Sequence, residues 1–468
     1  MSEIVWLRRE LRLHENPALA VALAGGERVV PVFCLDERLL HGRHACAPRT
    51  AFLLECLAEL DRSLRARGSA LVVRRGPPEH ELPALARVAG AHTVHHAGDV
   101  GPFASGRDER VRRALAAVGV GVRRHPGVFA ADDPAAIRAS GGGPYTVFTP
   151  FSRAWLRAPR REVLAAPRRM PALPEGLDAG ELPGLATLGL EAGASRTARG
   201  GEREARRLAG RFLSGPLMRY GEERDLLGPH PSSRLSPHLH LGCISPRELE
   251  QRASGPAGEA YRRQLCWRDF FAHVLAHFPA DARRAHQRRY RGVRWSRSRV
   301  AFEAWCAGMT GVPLVDAGMR QLRSEGWMPN RERMVVASFL TAHLGIDWRW
   351  GERWFMALLL DGDEASNCGN WQWVAGVGVD PAPPYRRVLS PVRQQERFDP
   401  TGAYVRRHVP ELARVPDRHL AAPWTMPAAV QERAGCVIGR DYPPPIVDLA
   451  SSRRAALGRH ADARRLSR

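Results

Sequence analysis

Three stretches of the sequence set chemically capable side chains one helical turn apart. In Gln264-Leu265-Cys266-Trp267-Arg268, the residues Gln264, Trp267 and Arg268 stand at i, i+3 and i+4, so an amide, an indole and a guanidinium share one helix face. Asn330, Arg333 and Met334 repeat that spacing. In Asp361-Gly362-Asp363-Glu364-Ala365-Ser366-Asn367 two carboxylates precede a helix start, which sets Asn367 and Trp371 one turn apart. Polar helix faces are ordinarily solvated, but these carry Trp and Met and adjoin strongly apolar runs such as 335–344. Turned inward, such groups describe the lining of a cavity for a large, flat, partly anionic ligand. Arg333 and Asp361 would be a buried ion pair that also bonds the ligand. The run Ser232-Ser233-Arg234-Leu235-Ser236-Pro237 reads either as a turn with a helix N-cap or as a cradle for a pyrophosphate at a helix start. Nine of the twelve tryptophans lie between Trp267 and Trp373, a clustering that points to stacking or redox work.

The elements that must hold these residues follow from periodicity. Short apolar runs at 4–7, 29–34, 71–74, 93–96 and 120–123 alternate with helical patterns such as 48–67, which predicts an α/β unit over 1–130, a doubly wound parallel sheet with helices on both faces. No G-x-G-x-x-G follows the first strand, so a dinucleotide site there is not supported. Residues 131–200 are rich in Pro and Gly and read as an inter-domain linker. From 201 to 450 the pattern is helical, an all-α domain, and the Arg-rich tail 451–468 is expected to fray.

Composition narrows the function. At roughly 100–200 residues per domain, 468 residues hold two or three domains. Hydrophobic residues at 44% and charged residues at 25% exclude wholesale disorder. All seventy basic side chains are Arg, against forty-nine acidic ones, for a net charge of +21. GC-rich coding accounts for Arg over Lys but not for the excess of base over acid, and a strongly positive field points to nucleic acid rather than a membrane surface. No apolar run reaches the roughly 18 residues of a membrane span. The N-terminus shows no basic segment followed by an apolar one. The eight scattered cysteines, without CxxC spacing, are expected to be reduced thiols in a cytoplasmic protein, with no metal site.

Ordered stretches along almost the whole chain carry a family resemblance. They are Trp6-Leu7-Arg8-Arg9-Glu10-Leu11-Arg12-Leu13-His14-Glu15-Asn16, Val147-Phe148-Thr149-Pro150-Phe151, Ser233-Arg234-Leu235-Ser236-Pro237-His238-Leu239, Trp267-Arg268-Asp269-Phe270-Phe271, the run 311–320, and Asn367-Cys368-Gly369-Asn370-Trp371-Gln372-Trp373. The chain resembles the photolyase/cryptochrome family, closest to microbial class I cyclobutane pyrimidine dimer photolyases. The resemblance implies an α/β antenna domain, a linker and a helical domain that binds FAD and DNA containing pyrimidine dimers, in a monomer with no obligate protein partner. It implies that Tyr220, Ser232, Ser233, Arg234, Leu235 and Ser236 contact the FAD phosphates and ribitol, and that Gln264, Arg268, Trp327, Asn330 and Arg333 wall the flavin. Asp361 and Asp363 then partner Arg333 and the ring edge, and Asn367 faces flavin N5. Trp371, Trp348 and Trp295 correspond to the family's photoreduction chain. Trp267 and Trp373 would sandwich the flipped bases, with Met334 on the dimer. The implied activity is light-driven repair by electron transfer from excited reduced FAD; the alternative is a cryptochrome-like blue-light receptor without repair.

Three positions depart from the family pattern. Gln264 stands where class I dimer photolyases usually have Glu, so repair is expected to be less efficient. Gln is usual there in (6-4) photolyases, but their His pair is replaced here by Asn330 and Met334, which argues for dimer repair. Pro329 stands where His is common. For the antenna, the folate-type Asn-Glu pair falls near Phe103-Ala104 and is missing, while Asp99 and Cys34 resemble the deazaflavin version, with Gly101 in place of an expected Glu. An 8-hydroxy-deazaflavin antenna is therefore favoured over folate.

Overall fold

A computed structural model describes residues 2–25, 28–191, 198–228, 232–380 and 387–466. Five strands, β1 (Ser2–Leu7), β2 (Arg28–Leu35), β3 (Val72–Arg75), β4 (Ala91–Ala97) and β5 (Gly121–His125), form one parallel sheet in the order β3-β2-β1-β4-β5. β1 is central and buried along its whole length. It therefore carries a continuous apolar run, Ile4-Val5-Trp6-Leu7, instead of an alternating one. The strand order reverses between β1 and β4, and the crevice beyond their carboxyl ends is bordered by Arg8, Arg9 and Asp99.

The linker is not a free tether. It forms a helix, Phe148–Arg157, with Phe151 and Trp155 buried. Trp155 donates its indole N–H to Asp269 of the helical half at 2.9 Å, and the amide of Val73 in β3 donates to the carbonyl of Ala179 at 2.7 Å. The tail also differs from expectation. Residues Leu449–Leu466 form a helix that buries Ala456 and Ala463, and His460 sets Nε2 2.9 Å from the carbonyl oxygen of Ala375. Its Arg content hid an Ala-lined face that docks.

The two halves share one apolar core. Val5 and Leu7 of β1 and Phe52 of the helix Ala47–Arg65 cluster with Leu235, Leu241, Leu265 and Leu360. Burying each such side chain contributes about 1.5–3 kcal/mol, so the halves are held as one unit. A second core, in the helical half alone, contains Trp305, Trp348 and Trp371. All eight cysteines are buried free thiols. No helix among the described residues is long and apolar enough to cross a membrane.

Candidate functional site

Two helices meet edge to edge in the helical half, Asn330–Ser338 and Glu364–Ala375. Asn330, Arg333, Met334 and Ala337 from the first, and Ser366, Asn367, Asn370, Trp371 and Val374 from the second, line one cavity together with Asp361 and Asp363; it measures about 540 Å³ counting its mouth open to solvent. Both sets follow the i, i+3, i+4, i+7 rule, so helical period alone turns them to the same space.

Charge inside the cavity is matched. Arg333 holds Asp361 with two parallel N–H···O bonds of 3.0 and 2.8 Å and donates a third, through Nε, to the carbonyl of Met328. Burial pushes the Asp361 carboxyl up, but Arg333 outweighs it and holds the acid below its ordinary value. Asp363 caps the helix Glu364–Ala375 by accepting from the Ser366 amide at 2.8 Å. Its other oxygen takes a 2.7 Å bond from Arg9, which also pairs with Asp99 at 3.2 Å. Against the cost of burial, Arg9 and Arg268 keep Asp363 well below the usual carboxylate range. The α/β half thus reaches into the site through Arg9.

Asn367 donates its amide hydrogens to the backbone oxygen of Glu352 at 3.0 Å and to the Glu352 carboxylate at 3.2 Å. What the side chain presents to the cavity is its carbonyl oxygen, an acceptor for a ring N–H. Glu352 is buried, burial raises its pKa, and Arg43 of the α/β half lies 3.4 Å away. Trp371 packs edge-on against Trp305 at 6.2 Å and Phe355 at 5.0 Å. It presses on the helix Trp348–Leu358 at Gly351, where any Cβ would overlap the indole. Gly351 is thus the reason the Trp371 ring can reach the helix that begins at Trp348. Trp348 and Trp295 line a second, outer cavity of about 420 Å³.

The loop before the helix Ser236–Leu241 adjoins this site. The hydroxyls of Ser232 and Ser233 accept from the amides of Arg234 and Leu235 at 3.3 and 3.4 Å. Arg234 has φ +50°, uncommon for a residue with a Cβ. Its guanidinium lies 4.3 Å from the ring centre of Trp327, whose indole N–H donates to Ser236 at 3.2 Å. Ser236 also hydrogen-bonds Asp361. Leu235 is buried, and Tyr220 packs edge-on against Phe212 and Tyr261.

Several expected positions fall elsewhere. Trp267 and Trp373 do not line the cavity of Asn367 and Trp371. They border a neighbouring pocket of about 500 Å³ with Phe148, Phe271, Cys368 and Gly369. Trp267 stacks face to face on Phe148 at 3.7 Å, and the Arg387 guanidinium covers Trp373 at 3.3 Å. One face of each indole is therefore already occupied, which leaves the other face of each toward the pocket they share. The helix Glu364–Ala375 is the wall between the spaces, since Asn370 faces one and Gly369 the other. Arg268 is also not a cavity wall: it donates to the carbonyls of Val128 at 2.7 Å and Leu239 at 3.3 Å, joining the halves. Gln264 is half-buried one turn before Trp267 and outside the cavity lining. Neither antenna residue offers a free group. Cys34 packs in the core beneath the sheet, where burial pushes its thiol up, and Asp99 is bound to Arg9.

Sequence reasoning missed Glu352, Trp305, Arg9 and Arg387 as parts of these sites. Glu352 stands one turn after Trp348 on an otherwise apolar face, which was the available signal. Arg9 lies inside the run 6–16, but nothing local shows that it reaches Asp363. Among the described residues no group of three or more His, Cys, Asp or Glu is arranged to hold a metal.

Residues 261–462 match the family described as the FAD binding domain of DNA photolyase, and residues 3–174 the family described as DNA photolyase. The deoxyribodipyrimidine photo-lyase of Streptomyces griseus is 44% identical over 458 residues, covering 96% of this chain and 97% of that protein. A class III photolyase from Agrobacterium tumefaciens superimposes with a TM-score of 0.91 at 35% identity, covering 99% of this chain and 98% of the other. The archaeal photolyase from Sulfolobus tokodaii, whose crystal structure holds two FAD molecules, gives 0.84 at 32% identity, covering 99% and 100%. A cavity with a matched Arg–Asp pair, an outward amide oxygen and a neighbouring indole, in a chain similar over its whole length to these proteins, leads to one conclusion: the chain belongs to the photolyase/cryptochrome family.

Proposed function

We propose that the protein repairs cyclobutane pyrimidine dimers in DNA under blue light, with FAD as its cofactor. The observation that carries this reading is the convergence of Arg333–Asp361, Asn367, Met334 and Trp371 on one cavity, walled by a single helix from the aromatic pocket of Trp267 and Trp373. Reduced FAD, when bound, supplies an electron to the dimer in light and recovers it once the cyclobutane ring has split.

The chain's own residues bind, orient and insulate. Arg333 and Asp361 hold the flavin edge, with the loop Ser232–Ser236, Trp327 and Tyr220 toward its phosphate and ribitol side. The carbonyl oxygen of Asn367 accepts from the ring at N5, because Glu352 holds its amide hydrogens. Trp371, Trp348 and Trp295 carry electrons from the surface to the cavity. Trp267 and Trp373 each offer one free indole face to an extruded base, a contact worth about 1–3 kcal/mol, and Met334 with exposed Asn330 borders the entrance. The net charge of +21 supplies phosphate affinity that falls with salt. Gln264 tunes this site from the helix that carries Trp267.

The finer proposals are a monomer acting in the cytoplasm and an 8-hydroxy-deazaflavin antenna in the crevice beyond β1 and β4. The Sulfolobus relative's two FAD molecules support a second chromophore in this family.

The test is illumination of the chemically reduced protein with a dimer-containing oligonucleotide. Dimers should disappear in proportion to light, and a (6-4) substrate should not be restored. Dimers that persist while the flavin cycles normally replace this reading with that of a blue-light receptor. Trp371→Phe should reduce photoreduction of oxidised FAD to a small residue while repair by pre-reduced protein continues.

A further inference from the structure

The outer cavity has a character that repair does not use. It is lined by Trp295, Trp348, Tyr290, Val377, Arg284, Arg291 and Arg349, and is open to solvent, with about 420 Å³ counting its mouth. Eight arginines and no Asp or Glu fall between Arg283 and Arg299. Arg349 is paired with Asp347 at 3.0 Å. Arg291 donates only through Nε, to the carbonyl of Ala285 at 3.0 Å, and among the described residues neither it nor Arg284 meets a carboxylate. Trp295 is held in place from the far side by the tail helix. The His460 ring meets it edge-on at 6.3 Å, with Nε2 and Nδ1 lying 2.9 and 3.1 Å from the carbonyl oxygens of Ala375 and Ala456. An oxidisable indole, half-exposed and facing a concave space with unpaired guanidiniums, is a place where a small anion is concentrated against an electron acceptor.

We propose that this outer cavity docks a small organic anion that gives one electron to the oxidised Trp295. The inference rests on the reading of Trp371, Trp348 and Trp295 as an electron chain. An electron hole made at Trp371 by photoexcited oxidised flavin passes to Trp348 and then to Trp295. There the indole radical cation loses its N–H proton to solvent. The donor, an enediolate monoanion, then transfers one electron and its hydroxyl proton: the neutral indole radical becomes Trp295 again, and the donor becomes its radical anion. Electrons and protons balance, and the hole cannot return to the flavin. The arginines select the donor by charge, so anionic reductants act by binding and neutral ones only by collision.

Ascorbate is the probe, and the full-length protein is the sample. In the dark, equilibrium dialysis should show saturable binding of labelled ascorbate at one site, weakened about tenfold in Arg284→Gln, Arg291→Gln through loss of two nearby charges. Both side chains are exposed, so the variant should fold as the parent does. After a laser flash on FAD-loaded protein, decay of the tryptophan radical should accelerate and then saturate with ascorbate. In the double variant that acceleration should fall about tenfold, while neutral dithiothreitol should act equally on both proteins. Binding that never saturates, or decay strictly proportional to ascorbate with one slope for both proteins, overturns the docking site. A flash that yields no tryptophan radical refutes the electron chain instead, and dialysis still decides whether the anion site exists.

Discussion

The two faces of the helix Asn330–Ser338 solve the same problem in opposite ways. On the cavity side half-buried Arg333 holds buried Asp361 in a two-pronged ion pair. On the rear, Glu332 is 0% exposed, neither of its oxygens has a hydrogen-bond partner, and its carboxyl sits against Gly318, where a Cβ would overlap it. Burial, with Asp399 nearby, raises its pKa well above the ordinary value, because no partner compensates the desolvated charge. The difference teaches that a carboxyl facing the cavity is matched by an Arg, while behind the site the same helix holds a carboxyl whose unpartnered burial disfavours its charge. The neighbouring helix Glu364–Ala375 shows a second version of the division, with Asn367 and Trp371 toward the cavity and Cys368 and Gly369 toward an aromatic pocket.

The strongest way to break this comparison is Arg333→Met. It strands Asp361 as a buried unpaired charge and should cost about 3–5 kcal/mol, read as a fall in urea midpoint together with loss of bound flavin absorbance. Adding Asp361→Leu should recover much of the stability and none of the flavin. If the double variant binds FAD normally, the pair is merely structural. Next in size, Trp373→Ala should weaken binding of dimer-containing DNA by about 1–3 kcal/mol, measured by fluorescence anisotropy, with the flavin spectrum unchanged. A shifted spectrum would mean that the helix wall does not separate the two spaces.

The smallest effect is the pH response, and it has opposite signs on the two faces. Asp361 is held below its ordinary 3.8, so its contribution is present above that pH and is lost as pH falls. Glu332 is raised above its ordinary 4.5, so its contribution is complete below that pH. It is lost at about 1.4 kcal/mol per pH unit as pH rises toward the folded-state value. Glu332→Gln should flatten the alkaline side of the stability profile and leave the acid side unchanged. Identical profiles for the two proteins would show that the rear carboxyl is solvated in solution.

Much of the site was legible before any coordinates. The spacing of Asn330, Arg333 and Met334, and of Asn367 and Trp371, put each set on one helix face, and both line the cavity. The five strands lie within a few residues of the apolar runs that announced them. What misled was equally specific. The Arg content of the tail concealed Ala456 and Ala463, because a helix needs only a narrow apolar stripe to dock. Trp267 and Trp373 border one pocket, but nothing local shows that Phe148, brought by the linker, and Arg387, from beyond the helix, back one face of each ring. Glu332 reads as an ordinary acid on a mixed helix, and nothing nearby in sequence marks it as buried, whereas Glu352 is marked only by its apolar helix face.

The order of residue types along the chain determined which side chains travel together, since a 3.6-residue turn carries that information locally. Only the tertiary structure decided what each face meets. Arg333 finds Asp361 28 residues away, Asn367 finds Glu352 15 residues away, and Arg9 finds Asp363 across 354 residues. Whether a carboxyl is ionised, and which way an amide points, depends on desolvation and on partners at those separations, and both are set by packing between elements.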